Sequence, residues 1–187
     1  MPVSSTDGAV ALAATPDLIS QVDSNATVSA SLLLPSQDTI VDDTDSGLLH
    51  TGNNLWLDST NGFGGSFLWT FAAQSVPDIV VTWFPSLQGC SLYRVDAFIP
   101  DGVGLTDSAR YAVTHRWGTT VVQISQNAYR GGWVALGGFE FEAGASAYIQ
   151  LSNLTGEDPK VRRWVGFDAV RWTIVNACSG ETDIPDQ

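Results

Sequence analysis

Apolar residues between Ile40 and Val175 fall in short runs, and no window of about a dozen residues repeats them with the helical period of 3.6. The runs are rich in Val, Ile, Thr and aromatic residues, and Gly, Asp, Asn or Pro separates one run from the next. This pattern predicts many short strands and almost no helix. We expect strands near 39–42, 66–72, 78–84, 91–99, 109–116, 119–126, 133–141, 146–152 and 164–175.

The turns between these runs favour antiparallel pairing. The clearest hairpin signal is Arg116-Trp117-Gly118-Thr119, where glycine can adopt a positive φ between two alternating runs. Many short strands joined by glycine-rich turns are typical of an all-β sandwich or jelly roll, not of a parallel sheet. A chain of 187 residues can bury such a core without help from a metal or a disulfide.

Composition divides the chain into three parts. Residues 1–38 are rich in Ser, Ala, Thr and Asp and contain no aromatic residue, which predicts an extended N-terminal arm or linker. Residues 39–178 carry the continuous β pattern and predict one sandwich domain, and the acidic residues 179–187 predict a flexible tail. An arm with so few core-forming residues needs a surface to lie on, either that of its own domain or that of a neighbour.

The charge of the chain limits its partners. Twenty acidic and eight basic residues give a net charge of −12, and the first base is Arg94. Such a chain repels polyanions at long range, which argues against nucleic acid as a partner. No apolar run reaches the roughly 18–20 residues that cross a bilayer, and the N-terminus lacks the regions of a secretory signal. We expect a protein outside the cell, either after removal of a signal or by another route, for example on a virion.

Two cysteines, Cys90 and Cys178, are too few for a zinc site and favour one disulfide in an oxidising compartment. Cys90 precedes the predicted strand 91–99, and Cys178 follows the predicted strand 164–175. If these strands are antiparallel neighbours, the start of one lies beside the end of the other, and a disulfide between Cys90 and Cys178 is expected. Two buried reduced thiols are the alternative.

A dense run of carboxylates predicts a cation site. Asp42, Asp43 and Asp45 supply the oxygen ligands that Ca²⁺ prefers, although the run lacks the later acidic positions of an EF-hand loop. A jelly roll often pairs its first strand with its last, which would bring Asp42 close to Asp168. We therefore expect a structural Ca²⁺ at Asp42 and Asp168 and no other cofactor. The alternative is that the aspartates cap turns.

Segments spread over residues 40–172 match the segments of a known family in order. They are VDD at 41–43 with Gly47, VTWFP at 81–85, LYRV at 92–95 with IP at 99–100, ARYAVTH at 109–115, GTT at 118–120, VQISQN at 122–127, GWVALG at 132–137, Phe139 with FEAG at 141–144, and FDAVRW at 167–172. In this set the chain resembles the golvesin C-terminal-like domain, a module attached to xanthan lyases and other secreted microbial enzymes. The resemblance implies a galactose-binding-like β-sandwich, usually non-catalytic, that holds carbohydrate or cell-surface material. Two features depart from the family pattern: Phe167 stands where a small residue is usual, and the loop at 154–163 is longer and more charged.

Exposed aromatic rings beside polar loops are the groups with which carbohydrate modules stack on sugars. Tryptophan or tyrosine lies beside turn residues at three places, and an arginine flanks two of these rings. The predicted ligand-binding residues are Trp56, His115, Arg116, Trp117, Tyr129 and Arg130. Isolated surface aromatics that close loops are the alternative, and His115 can equally be a hydrogen-bonded turn residue. The tryptophans inside alternating strands are predicted to be core: Trp83, Trp133 and Trp172.

The sequence lacks the signals of a catalytic site. As a catalytic base His115 would need a nucleophile, and the Gly-x-Ser-x-Gly elbow that presents one does not occur in the chain. Glu140 and Glu142 share a strand face, but Phe139 and Phe141 occupy the inward positions, which leaves the glutamates on the solvated side. We therefore predict that the protein is not an enzyme.

The favoured function is a non-catalytic extracellular module that binds polysaccharide or cell-surface glycan. The alternative is a structural subunit of an external assembly, such as a sheath, a filament or a virion surface, in which residues 1–38 add a strand to a neighbour. This alternative predicts a homo-oligomer that dissociates when the arm is deleted, which light scattering would detect.

Overall fold

The structure, a computed structural model, describes residues 38–87, 89–142 and 147–177. Apart from Asp38, the predicted arm of residues 1–38 lies outside the described residues, as do the predicted tail of residues 179–187 and Cys178. The boundaries of the arm and the tail stay predictions.

Strands dominate the regular structure of the described residues. They are β1 (Thr39–Val41), β2 (Leu48–Thr51), β3 (Trp56–Asp58), β4 (Phe67–Phe71), β5 (Val80–Trp83), β6 (Ser91–Ile99), β7 (Ala109–His115), β8 (Gly118–Ile124), β9 (Gly132–Phe141), β10 (Tyr148–Ser152), β11 (Trp164–Phe167) and β12 (Val170–Ala177). Single 3₁₀ turns occur at Phe63–Gly65 and Pro159–Val161, and these three ranges contain no α-helix. The prediction of an all-β, antiparallel fold is confirmed.

Two large sheets enclose the core. One has the strand order β1-β12-β6-β9 and the other the order β2-β5-β10-β7-β8, with every neighbouring pair antiparallel. Inward side chains of both sheets form one buried cluster that includes Trp83, Tyr93, Tyr111 and Trp172. Trp83 and Trp172 are therefore core residues, as predicted.

The expected strand at 164–175 is in fact two strands in different sheets. Asp168 and Ala169 separate β11 from β12, and β11 joins a third sheet with the order β11-β4-β3. Val165 and Phe167 of β11 enter the common core. The sequence analysis did not predict β2 and β3, which have only four and three residues and are largely exposed.

A β-bulge in β9 changes which residues face the core. The register with β6 skips Leu136, so Phe141 faces inward after the bulge whereas Val134 does so before it. One extra residue reverses the alternation along a strand. Trp133 consequently lies half-buried on the outer face, with the guanidinium of Arg171 at 4.4 Å from its ring centroid. The prediction that Trp133 is a core residue is wrong.

The strands next to the two cysteines are arranged as the disulfide requires. β6 and β12 are antiparallel neighbours, and Ser91 lies opposite Ala177. Cys90 directly precedes the first of these residues, and Cys178 directly follows the second. The disulfide itself stays a prediction, because Cys178 lies outside the described residues.

Candidate functional site

One face of the third sheet is made of aromatic side chains. The register pairs Trp56 with Trp69 across β3 and β4, and Phe71 with Trp164 across β4 and β11. Cross-strand partners share a face, as do alternate residues of one strand, so all four rings lie on one side. Trp69 is at the centre, with its ring centroid 4.7 Å from that of Trp164 and 5.0 Å from that of Trp56.

Trp56 and Phe71 are the exposed members of this aromatic face. Their exposed fractions are 42% and 44%, and their ring centroids lie 6.0 Å apart with planes at 72°. Trp69 packs edge-on against Phe71 at 5.8 Å and supports both outer rings from behind. Two supported, exposed rings at a steep angle can stack against the apolar faces of sugar rings.

Two hollows adjoin at Phe71 and Ala72, which line both of them. The larger hollow, about 440 Å³, also contacts Trp56, and its polar wall is formed by Asn54, Asp78 and Asn153. The smaller hollow, about 240 Å³, has a charged wall formed by Asp158, Arg162 and Arg163. We call these the amide hollow and the arginine hollow, and together the aromatic groove.

Asn153 holds the wall of the amide hollow in place. It is 2% exposed, and its Oδ1 accepts hydrogen bonds of 3.2 Å from the backbone N–H groups of Asp78 and Ile79. Its Nδ2 donates to the carbonyl of Phe71 at 3.0 Å and to the carboxylate of Asp78. Asn54 donates to the same carboxylate from the exposed side, at 3.2 Å. The groove is thus built on a buried hydrogen-bond network.

Replacing Asn153 with alanine is expected to cost about 3 kcal/mol of unfolding free energy, because the buried N–H of Ile79 and three partly buried groups lose their partner. Urea denaturation measures this loss. Asn54→Ala is the matched control, since Asn54 donates to the same carboxylate but is exposed, and its cost should stay below about 1 kcal/mol. Equal costs for the two variants would contradict the role given to Asn153.

The predicted residues at the β7–β8 hairpin form a separate cluster. Trp117 is 71% exposed, and its Nε1–H donates to Glu140 at 3.2 Å. The guanidinium of Arg116 lies 4.8 Å from the Trp117 ring centroid and forms ion pairs with Glu142 at 2.7 Å and with Glu140 at 3.7 Å. The two glutamates compensate the charge of Arg116, which weakens the case that this arginine binds a ligand carboxylate.

His115 uses both ring nitrogens within the same hairpin. Its Nε2 lies 3.0 Å from the hydroxyl of Thr120, and its Nδ1 accepts the backbone N–H of Trp117 at 3.3 Å. Its ring packs against Phe139 with centroids 5.1 Å apart. These contacts favour the alternative in which His115 fixes the turn.

Tyr129 and Arg130 lie near the opposite end of β8, in the exposed loop that leads to β9. β8 has seven residues, so about 20 Å separates its two ends. The aromatic groove is also remote from the hairpin. Trp164 of the aromatic face forms a β-bridge with Leu105, which precedes the first residue of β7, whereas Trp117 follows the last residue of β7. The length of β7 therefore separates the two places. The six predicted ligand residues therefore do not form one site, and Trp56 alone among them lines the aromatic groove.

The carboxylates predicted to bind a cation do come together. β1 pairs with β12, which brings Asp42 and Asp43 beside Asp168 at the break between β11 and β12. One oxygen atom of each carboxylate lies within 4.8 Å of the other two. The hydroxyl of Ser66 donates to both oxygens of Asp43, at 3.1 and 3.0 Å. Gly64, at a φ of +67°, lies against Asp42, where a Cβ would approach the carboxylate to 2.7 Å.

Burial and repulsion change the acidity of this cluster. Burial is the main cause that raises the pKa of Asp168 to about 8; hydrogen bonds from the backbone of Phe63 and Ala169 lower the pKa, and the charges of Asp42 and Asp43 raise it. Burial likewise raises the pKa of Asp42 to about 6, with a further contribution from the charge of Asp43. A divalent cation would offset both causes, and a set of carboxylate oxygens matches the ligand preference of Ca²⁺.

Three residues of the aromatic face were not predicted from the sequence: Trp69, Phe71 and Trp164. The signal was present in β4, where Phe67, Trp69 and Phe71 alternate and so share one face. Trp56 and Trp164 reach the same face because β3 and β11 both pair with β4, and the pairing with β11 connects strands that are far apart in sequence.

Residues 39–174 match the sequence profile of the Golvesin C-terminal domain. The chain belongs to this family, and the resemblance predicted from its segments is confirmed. No curated protein matches the chain. Within the described residues, no helix has the length and apolar character needed to cross a membrane.

Among solved structures, a xanthan lyase from Paenibacillus has a similar fold, with a TM-score of 0.65 and 23% identity. The match covers 75% of this chain but 13% of the lyase, so this chain spans a small part of that protein's length. A GH26-CBM35 β-(1,4)-mannanase from Podospora anserina follows with a TM-score of 0.47 and 14% identity over 74% of this chain and 28% of that one. The CBM22-1-GH10 modules of a Clostridium thermocellum xylanase give 0.41 and 16% over 81% and 30%. These likenesses concern the fold alone, and the last two are too distant to support an argument.

Proposed function

We propose that this chain is a non-catalytic, extracellular polysaccharide-binding module and that the aromatic groove is its binding site. The observation that carries the proposal is the pair of exposed rings, Trp56 and Phe71, supported by two inner tryptophans and flanked by amide and charged side chains. The rings would stack on sugar rings, and the polar walls would take hydroxyl groups. Membership of a family of accessory domains is consistent with this role.

The proposal is tested by the retention of polysaccharides on alanine variants of the groove. Trp56→Ala and Phe71→Ala should each weaken binding about 10- to 100-fold, the equivalent of about 1.5–3 kcal/mol for losing the burial of one ring. Affinity electrophoresis in gels that contain neutral and acidic polysaccharides measures the effect.

Trp117→Ala is the matched control, because it removes the most exposed tryptophan without touching the groove. It should leave binding unchanged, as should Tyr129→Ala. Loss of binding in Trp117→Ala together with full binding in Trp56→Ala would transfer the site to the β7–β8 hairpin and contradict this proposal.

The non-catalytic character rests on how the candidate acid–base groups are used. Glu140 and Glu142 have side chains 38% and 47% exposed and are paired with Arg116, and His115 is bonded within its turn. The carboxyl groups with a raised pKa, those of Asp42 and Asp168, belong to the carboxylate cluster and line neither hollow of the aromatic groove, where a sugar would bind.

We also propose that Asp42, Asp43 and Asp168 hold a structural Ca²⁺. The support is geometric: three carboxylates from two distant parts of the chain converge at the junction of two sheets. Bound there, Ca²⁺ would stabilise the join between β1 and the turn from β11 to β12. The alternative of a subunit in an external assembly depends on residues 1–38, and since only Asp38 of them is described, it stays a prediction.

A further inference from the structure

The segment at 157–163 lines the arginine hollow with two arginines, Arg162 and Arg163, and with one carboxylate, that of Asp158. It contains Lys160, Arg162 and Arg163, three of the eight bases in a chain whose net charge is −12. Asp158 begins its 3₁₀ turn by accepting the backbone N–H of Lys160 at 2.9 Å, and Arg162 ends the turn in the left-handed conformation, with a φ of +53°.

Two arginines of this segment line the arginine hollow and differ in their bonding. Arg163 is fixed, because its guanidinium pairs with Asp107 at 2.8 Å and donates to the carbonyl of Leu105 at 3.3 Å. The side chain of Arg162 is exposed and makes no hydrogen bond or ion pair with any of the residues at 38–87, 89–142 and 147–177. Its charge is therefore available to a ligand beside Phe71.

The amide hollow, in contrast, disfavours a negatively charged ligand group. In the amide hollow the carboxylate of Asp78 is held by Asn54 and Asn153, so this wall can accept hydrogen bonds from hydroxyl groups but repels an anion. The charged groups that a ligand would meet therefore differ between the two hollows: Arg162, an arginine unpaired among the described residues, lines one, and the carboxylate of Asp78 lines the other. A ligand that complements the groove carries hydroxyl groups at one end and an anionic group at the other.

We propose that the aromatic groove binds an acidic polysaccharide, with a neutral sugar unit in the amide hollow and a carboxylate-bearing unit, such as a uronate, against Arg162. The inference rests on the proposed function and names the class of polymer. A guanidinium forms charge-assisted, often bidentate hydrogen bonds with a carboxylate, which favours Arg162 as the selecting group. The acidic surface elsewhere does not prevent this contact, since the Debye length at physiological ionic strength is only about 8 Å.

The test compares polysaccharides with and without their carboxyl groups. Polygalacturonate, alginate, hyaluronan and glucuronoxylan are each paired with a carboxyl-reduced form of the same polymer, and affinity electrophoresis of the full chain measures binding. We expect wild type to bind at least one acidic polymer about tenfold more tightly than its reduced form. Arg162→Gln should lower binding to the acidic form about tenfold and leave binding to the reduced form unchanged.

Arg130→Gln is the matched control, because it removes the same charge from an exposed arginine outside the groove and should have no effect. Gln has the same backbone cost as Arg in the left-handed conformation, so circular dichroism should show an intact fold for Arg162→Gln. Equal binding of the acidic and reduced polymers, or equal effects of the two variants, would overturn the inference. If wild type binds the acidic and the reduced polymers equally and Trp56→Ala abolishes this binding, the groove binds polysaccharide but does not select for a carboxylate. If wild type binds none of the polymers, both the proposed function and the acidic preference are contradicted.

Discussion

Replacing Cys90 and Cys178 together with alanine is expected to lower the melting temperature by about 10–15 °C. The predicted disulfide would close a loop of 88 residues, from position 90 to position 178, and for that length the loss of chain entropy in the unfolded state corresponds to about 3–5 kcal/mol. β6 and β12 pair up to Ser91 and Ala177, the residues next to Cys90 and Cys178 in the sequence. Thermal unfolding of the variant and of wild type measures the difference.

Reduction of wild type provides the control for this experiment. A phosphine reductant should lower the melting temperature of wild type to that of the double variant and leave the double variant unchanged. Titration of the denatured, unreduced protein should find no free thiol. Two free thiols, or a melting temperature that is insensitive to reductant, would contradict the disulfide.

The metal-free protein is expected to lose stability as the pH rises from 5 to 8.5, by about 2–4 kcal/mol, most of it from Asp168, because solvent screens the less buried Asp42. The pKa of Asp168 is raised from 3.8 to about 8 and that of Asp42 to about 6, so the folded state holds protons that the unfolded chain has released. A raised carboxyl pKa gives stability that is fully present below pH 4 and lost as the pH passes 6 and then 8. Melting in the presence of a chelator across this pH range measures the loss.

Millimolar Ca²⁺ is expected to remove most of this pH dependence, because the cation stabilises the charged carboxylates. The largest rise in melting temperature should therefore appear near pH 8. Asp168→Asn should flatten the pH dependence in chelator and abolish the response to Ca²⁺. Asp101→Asn is the control, since Asp101 is an exposed aspartate outside the cluster of three. The same melting temperature with chelator and with Ca²⁺ at pH 8 would contradict the cation site.

Local pattern was enough to predict most strands but not the points where the chain changes sheet or register. The break at Asp168 and Ala169 lies inside a run that is buried on both sides, so hydrophobicity does not show it. The bulge at Leu136 reverses the inward face of β9, which is why its position inside an alternating strand did not make Trp133 a core residue. Such features are set by pairing between strands and by packing, and neither is visible in one segment alone.

The two candidate sites differ in how far the sequence could predict them. The meeting of Asp42 with Asp168 followed from one topological expectation, that the first strand pairs with the last, and the structure has this pairing. The aromatic groove needs three strands, and only Trp56 was identified, because a single ring beside a turn is visible whereas the sheet behind it is not. Trp117 is likewise a ring beside a turn, but its indole N–H and the adjacent Arg116 are both bonded to Glu140.

The most direct test of the account is to observe which tryptophans contact a bound sugar. The chain has seven tryptophans, and the indole N–H signal of each can be assigned in ¹H–¹⁵N spectra from single Trp→Phe variants. Titration with an oligosaccharide from the polymer that binds most tightly should shift the signals of Trp56 and Trp69 and leave that of Trp117 in place. Shifts at Trp117 with none at Trp56 and Trp69 would show that the aromatic groove is not the binding site.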